Sequence, residues 1–219
     1  MTPTLAASVT SFKTTTTPKT IAATWAAGDL LIVLGVTPSN VAGQTITTPT
    51  VTGLTFTPID LEDTTGGHCW TGSWQATATS SGSGNISADR GATVAAWGFA
   101  LIIASAGTHS GVGVHTIATS TVQTAALTLA GPYSAVCELI GDSGTGTSTV
   151  TLVPSGGTQP AGGTGSLAAT YTFITITWTN QAAGTTSYGV SATPSGGQYS
   201  KILVEIKGIA TATTAWLGA

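Results

Sequence analysis

Two stretches of the chain carry no polar face at all. After the turn Gly28-Asp29, the run Leu30-Leu31-Ile32-Val33-Leu34-Gly35-Val36 is apolar at every position. A strand with one wet face alternates, so this run is predicted to be a central strand covered on both sides. Gly35 within it, Pro38 after it and the branched Ile32 and Val33 favour a strand over a short buried helix. Trp97-Gly98-Phe99-Ala100-Leu101-Ile102-Ile103 has the same two-sided character. One face of each must meet the core. The other is expected to meet loops, terminal arms or a neighbouring subunit.

Other stretches do alternate. His68, Trp70, Gly72, Trp74 and Ala76 share one face, and Cys69, Thr71, Ser73 and Gln75 the other. In Lys201–Lys207, Ile202, Val204 and Ile206 are expected inside and Lys201, Leu203, Glu205 and Lys207 outside. Around Leu167–Thr179 the phase breaks: Tyr171 and Phe173 are apolar at odd positions, Ile174, Ile176 and Trp178 at even ones. A β-bulge near Phe173-Ile174 would bring both sets to one face. Gln44–Thr52 and Leu54–Leu61 read as two strands about Gly53, and Val122–Ala130 with Tyr133–Ile140 as a hairpin about Gly131-Pro132. Pro-Ser-Gly-Gly occurs at 154–157 and 194–197 without flanking similarity, which is repeated turn chemistry and not a duplicated domain. With about 11–13 short strands and no amphipathic helix, the pattern predicts an all-β, antiparallel β-sandwich, jelly-roll-like. Residues 1–19 read as an arm or edge strand, 20–208 as a single β-sandwich domain and 209–219 as a tail.

Composition sharpens this picture. Only 6% of residues are charged, against about 25% in an average globular chain. Thr is the commonest residue, with 29 Gly and 9 Pro to punctuate turns. Neutral hydroxyls are therefore expected to wet the outer faces. A surface poor in Lys and Glu also suits a protein that lies against neighbours, because interface cores are depleted in charge. The net charge is −3, and Lys13, Lys19, Arg90, Lys201 and Lys207 are spread along the chain. No basic patch can form to neutralise a phosphate backbone, which argues against nucleic acid as a partner. The N-terminus lacks a secretory pattern and the longest apolar runs are too short to span a bilayer, so no membrane insertion is expected. Cys69 and Cys137 read as reduced, buried thiols, with a single bridge between them as the alternative.

Chemistry-bearing residues are sparse. His68, His109 and His115 do not have the spacing of a zinc motif, and His68 and Cys69 point to opposite faces of a strand. Asp60, Glu62 and Asp63 have neither the spacing of a calcium loop nor an evident carboxylate partner for glycoside chemistry. Gly141-Asp142-Ser143-Gly144 reads as a turn. No catalytic residue, metal ligand or cofactor is assigned on these grounds. Trp70 and Trp74 share a face; exposed, they could stack on sugars, and buried, they fill a core. Trp216 and Leu217, an apolar pair on a weak tail, and Phe12 in the first arm are the candidate assembly contacts.

The order of segments carries a resemblance. Gly28–Leu31 (GDLL) is followed by Thr45–Pro49 (TITTP), a Trp-bearing strand at Cys69–Ala78 (CWTGSWQATA) and Ala88–Ile102 (ADRGATVAAWGFALI). Then come Thr121–Leu129 and a terminal strand after a Gly-rich turn. Over residues 15–208 this resembles the β-sandwich domain of tail and other virion proteins of phages infecting high-GC actinobacteria. Where that domain carries Gly-Trp after the proline, this chain has Gly53-Leu54. The resemblance implies a non-enzymatic structural protein located in the virion, most simply a minor tail protein. Its partners would be other virion proteins and copies of itself. The alternatives are a capsid decoration protein and a carbohydrate-binding or receptor-binding module that meets a host surface glycan.

Overall fold

A computed structural model describes residues 4–13, 18–38, 45–63, 69–90, 97–105, 107–109, 114–119, 122–131, 133–142, 151–159, 164–167, 171–191 and 198–208. It is all-β, with sixteen strands among the described residues. The first seven are β1 (Thr4–Lys13), β2 (Lys19–Trp25), β3 (Leu30–Pro38), β4 (Thr57–Asp63), β5 (Cys69–Thr77), β6 (Gly82–Ala88) and β7 (Trp97–Ser105). The next five are β8 (Gly107–His109), β9 (Val114–Thr119), β10 (Val122–Leu129), β11 (Ser134–Asp142) and β12 (Thr151–Val153). The last four are β13 (Thr164–Leu167), β14 (Tyr171–Gln181), β15 (Gly184–Ser191) and β16 (Gln198–Gly208).

The strands form a stack of four layers. A five-stranded sheet runs β1-β7-β3-β5-β4, and the two-stranded ribbon β2-β6 lies outside it. A six-stranded sheet runs β13-β14-β11-β16, with β8 and β9 both on the far side of β16. The sheet β10-β15-β12 covers its outer face. All the strand pairings are antiparallel.

The second half of the chain repeats the strand order of the first. The order β1-β7-β3-β5 recurs as β9-β16-β11-β14, and β2-β6 recurs as β10-β15. The irregularity in β1 between Ala6 and Val9 corresponds to the break between β8 and β9. Each half is a jelly-roll-like sandwich in strand order. Where a single sandwich over residues 20–208 was expected, the described strands form two sandwiches pressed sheet to sheet.

This arrangement explains the two-sided runs. On β3, Leu31 and Val33 enter an outer core with Ile21, Trp25, Trp70, Trp74, Ile86, Trp97 and Phe99. Leu30, Ile32, Leu34 and Val36 face the other way, with Ala100, Ile102 and Ala104 of β7. Opposite them lie Ala135, Cys137, Leu139, Phe173, Ile202, Val204 and Ile206 of the second sheet. The cover on the second face therefore comes from within the chain. A third core holds Leu127, Leu129, Val136, Ile140, Ile174, Ile176, Trp178, Tyr188, Val190 and Leu203. Burying each such large apolar side chain stabilises by about 1.5–3 kcal/mol.

Local chemistry sets the entry to β3. Gly28 takes φ +91°, which a side chain would strain, and its N–H donates to the Ala78 carbonyl at 2.8 Å. The Asp29 carboxylate accepts the Ala26 N–H at 2.8 Å and closes the turn. Further along, Gly35 and Gly72 are register partners beneath two indole rings. A Cβ on Gly35 would lie 2.8 Å from Ile46 Cδ1 and 3.3 Å from the Trp74 ring. The Trp70 ring occupies the corresponding space over Gly72.

Several local expectations are corrected. Residues 45–56 form turns and isolated bridges in place of a strand over Gln44–Thr52. Val122–Ala130 and Tyr133–Ile140 are not a hairpin: β10 pairs with β15, and β11 with β14 and β16, so the turn at Gly131 crosses between layers. No bulge is present at Phe173-Ile174, where β14 stays in register with Gly141 and Ile140. Phe173 enters the central core and Ile174 the third core, because both faces of this strand are covered.

Candidate functional site

The most unusual chemistry lies inside the second sandwich. On β11, Ser134, Glu138 and Asp142 alternate with the residues of the central core and so lie on the strand's other face, with Val136 and Ile140 of the third core. On β16, Tyr199, Lys201 and Glu205 do the same. All six are buried, and Glu138, Lys201 and Glu205 are each 0% exposed. Lys201, Leu203 and Glu205 were expected to face out. They are covered because β10, β15 and β12 form a further layer over that face.

The two buried glutamates are held differently. The Glu205 carboxylate accepts the Ala130 N–H at 3.1 Å on both oxygens, and the Ser134 hydroxyl lies 2.6 Å from its Oε1. The Ser134 hydroxyl also lies 2.9 Å from the Gly131 carbonyl. Glu138 instead meets Lys201, whose Nζ lies 2.6 Å from its Oε1. Neither Glu138 oxygen has another hydrogen-bond partner among the described residues. Lys201 Nζ also donates to the Tyr188 carbonyl at 2.9 Å. Burial raises the Glu138 carboxyl above the usual carboxylate range, and the Lys201 charge offsets only part of that shift. Burial likewise raises the Tyr199 phenol, with further contributions from Glu138 and Asp142. On the opposite face of β11, burial pushes the free Cys137 thiol up to about 12.

The first sandwich does without this chemistry. The buried polar side chains described in the first half are Thr37, Thr71 and Ser73, none of them charged. The same strand order is thus built there without a buried charge.

Two shallow surface grooves flank β6. One, of about 510 Å³, is lined by Thr50, Val51, Thr52, Ser83, Gly84, Asn85 and Ser87. The other, of about 390 Å³, lies beside Ala22, Ala23 and Thr24. Both present neutral hydroxyl, amide and small apolar groups.

The residues singled out from the sequence are not brought together. Trp70 and Trp74 are core residues, 6% and 1% exposed, with ring centroids 5.6 Å apart. Covered by the β2-β6 ribbon, they offer no face for a sugar to stack on, and the glycan-stacking reading of these two rings is corrected. Phe12 lies on edge strand β1, opposite Gly98, where only the backbone is described. Trp216, Leu217 and His68 lie outside the described residues. His109 and His115 fall on β8 and β9, and Asp60 on β4. Among the described residues, no three His, Cys, Asp or Glu side chains gather as metal ligands, and no helix is long and apolar enough to cross a membrane. Lys201 and Glu205 were missed as interior residues, although Leu203 between them was a signal that this face is not wholly polar.

The chain matches no known family model, no curated protein and no solved structure.

Proposed function

We propose that this chain is a non-enzymatic structural protein of a phage particle, a minor tail protein that works by lying against other virion proteins and copies of itself. The observation that carries the reading is the placement of charge. Of five basic and eight acidic side chains, Lys201, Glu138, Asp142 and Glu205 are buried. The exterior is therefore even poorer in charge than the composition implies. A neutral Thr- and Ser-rich surface on a rigid stack of sheets costs little to desolvate against a neighbour and repels few partners. The order of sequence segments from Gly28 to Leu129 supports the same reading.

The test is a proteomic count on density-purified phage particles from a host producing this chain. The chain should be present in multiple copies per particle and should partition with tails when tails and capsids are separated. Partition with capsids would favour a decoration role. Absence from intact particles would overturn the proposal.

A further inference from the structure

We propose that Lys201 and Glu138 condense to form an intramolecular amide that covalently joins β11 to β16. The inference is independent of the proposed function. It rests first on contact: the Lys201 nitrogen lies 2.6 Å from one oxygen of the Glu138 carboxyl, so the carbon it would attack is one bond further on. Groups held this way react as though at enormous concentration, with effective molarities of roughly 10⁵–10⁸ M in well-oriented cases. It rests next on enclosure. Both side chains are 0% exposed, so water is kept from hydrating the charges and from reversing the reaction.

Apart from Lys201, the Glu138 oxygens have no N–H or hydroxyl donor among the described residues to hold a carboxylate, unlike those of Glu205. Burial raises the Glu138 carboxyl toward its neutral acid form, whose hydroxyl can leave. The Tyr188 carbonyl accepts a Lys201 N–H at 2.9 Å, which fixes the nitrogen beside the Glu138 carboxyl. Tyr188 is a positioning residue in this sense. Finally, the first sandwich has the same strand order with no charged side chain buried among its described residues, so the pair is an addition to the fold and not a demand of it.

The balance closes within the pair. A proton passes from the ammonium to the carboxylate, leaving amine and carboxylic acid. The nitrogen lone pair forms an N–C bond at Glu138 Cδ, and the C–O bond to the hydroxyl breaks. The hydroxyl leaves as water with a proton from nitrogen. No oxidant, reductant or second substrate is consumed.

The experiment is the mass of the full-length chain in denaturing solvent, measured after folding and prolonged incubation at neutral pH. The wild-type chain should be lighter than its sequence mass by one water. Proteolysis should yield a branched peptide joining the segments that carry Glu138 and Lys201. Lys201→Arg keeps the charge but cannot form this amide, so it should show the full mass, with circular dichroism confirming its fold. An unshifted wild-type mass overturns the proposal without reference to any variant. A water loss that persists in Lys201→Arg, or a branch point at Asp142, also overturns it.

Discussion

Cys137 shows how much of a residue's behaviour is decided by what covers it. Its sequence neighbours, Val136 and Glu138, say only that it lies on a strand. The structure places it in the interface between the two sandwiches, 0% exposed, and burial lifts its thiol from 9.0 to about 12. In the unfolded chain this thiol ionises near 9, while in the folded chain it keeps its proton, so the folded state binds more protons in between. Stability must therefore fall as pH rises from 9 toward 12, by up to about 1.4 kcal/mol per pH unit from this group. Urea unfolding at pH 8, 9, 10 and 11 should show a shallower decline for Cys137→Ala than for the wild type; equal slopes would refute the assignment. Glu138, Lys201 and Glu205 carry the same lesson less comfortably. The alternation of β16 was legible, but which polar residues meet water was not. A period of two says that two faces differ, and says nothing about whether a second layer covers the polar one.

At the scale of the element, the two-sided runs were the most informative part of the sequence. β3 and β7 pair directly with each other, and both are central because both lose their wet face. Consecutive residues on β3 should therefore be equally sensitive to truncation. Leu31→Ala opens a cavity in the outer core and Ile32→Ala one in the central core, each expected to cost about 2–5 kcal/mol. Chemical denaturation of the two variants checks this, and a cost below about 1 kcal/mol at either site would mean that one face is not packed as described. β14 shows the converse error. Its phase break invited a bulge only because one face was assumed to be wet; with both faces covered, Phe173 and Ile174 serve different cores in unbroken register. The supposed hairpin at Gly131-Pro132 failed for a related reason. A Gly-Pro turn marks a change of direction, but it does not say whether the next strand pairs with the last or enters another sheet.

For the whole molecule, the central core is the seam between two sandwiches of matching strand order. Produced separately, residues 1–106 and 107–219 would each expose an apolar sheet face. Each is expected to self-associate or precipitate alone, and the two are expected to co-purify as a complex when expressed together. Analytical ultracentrifugation of the separate halves checks this; two well-behaved monomers that ignore each other would show that the seam contributes little. The sequence by itself determined the all-β class, the antiparallel sandwich, the two-sided central strands and the neutral, hydroxyl-rich composition. These follow from side-chain period, β-branching and turn residues, all of which act over a few neighbouring positions. Tertiary structure alone decided that the strand order repeats, that a second sandwich covers the far face of β3, and that Lys201 meets Glu138 in a dry interior. Those facts depend on which distant strands become neighbours, and the energy that chooses them is the burial of whole apolar faces, which no local pattern specifies.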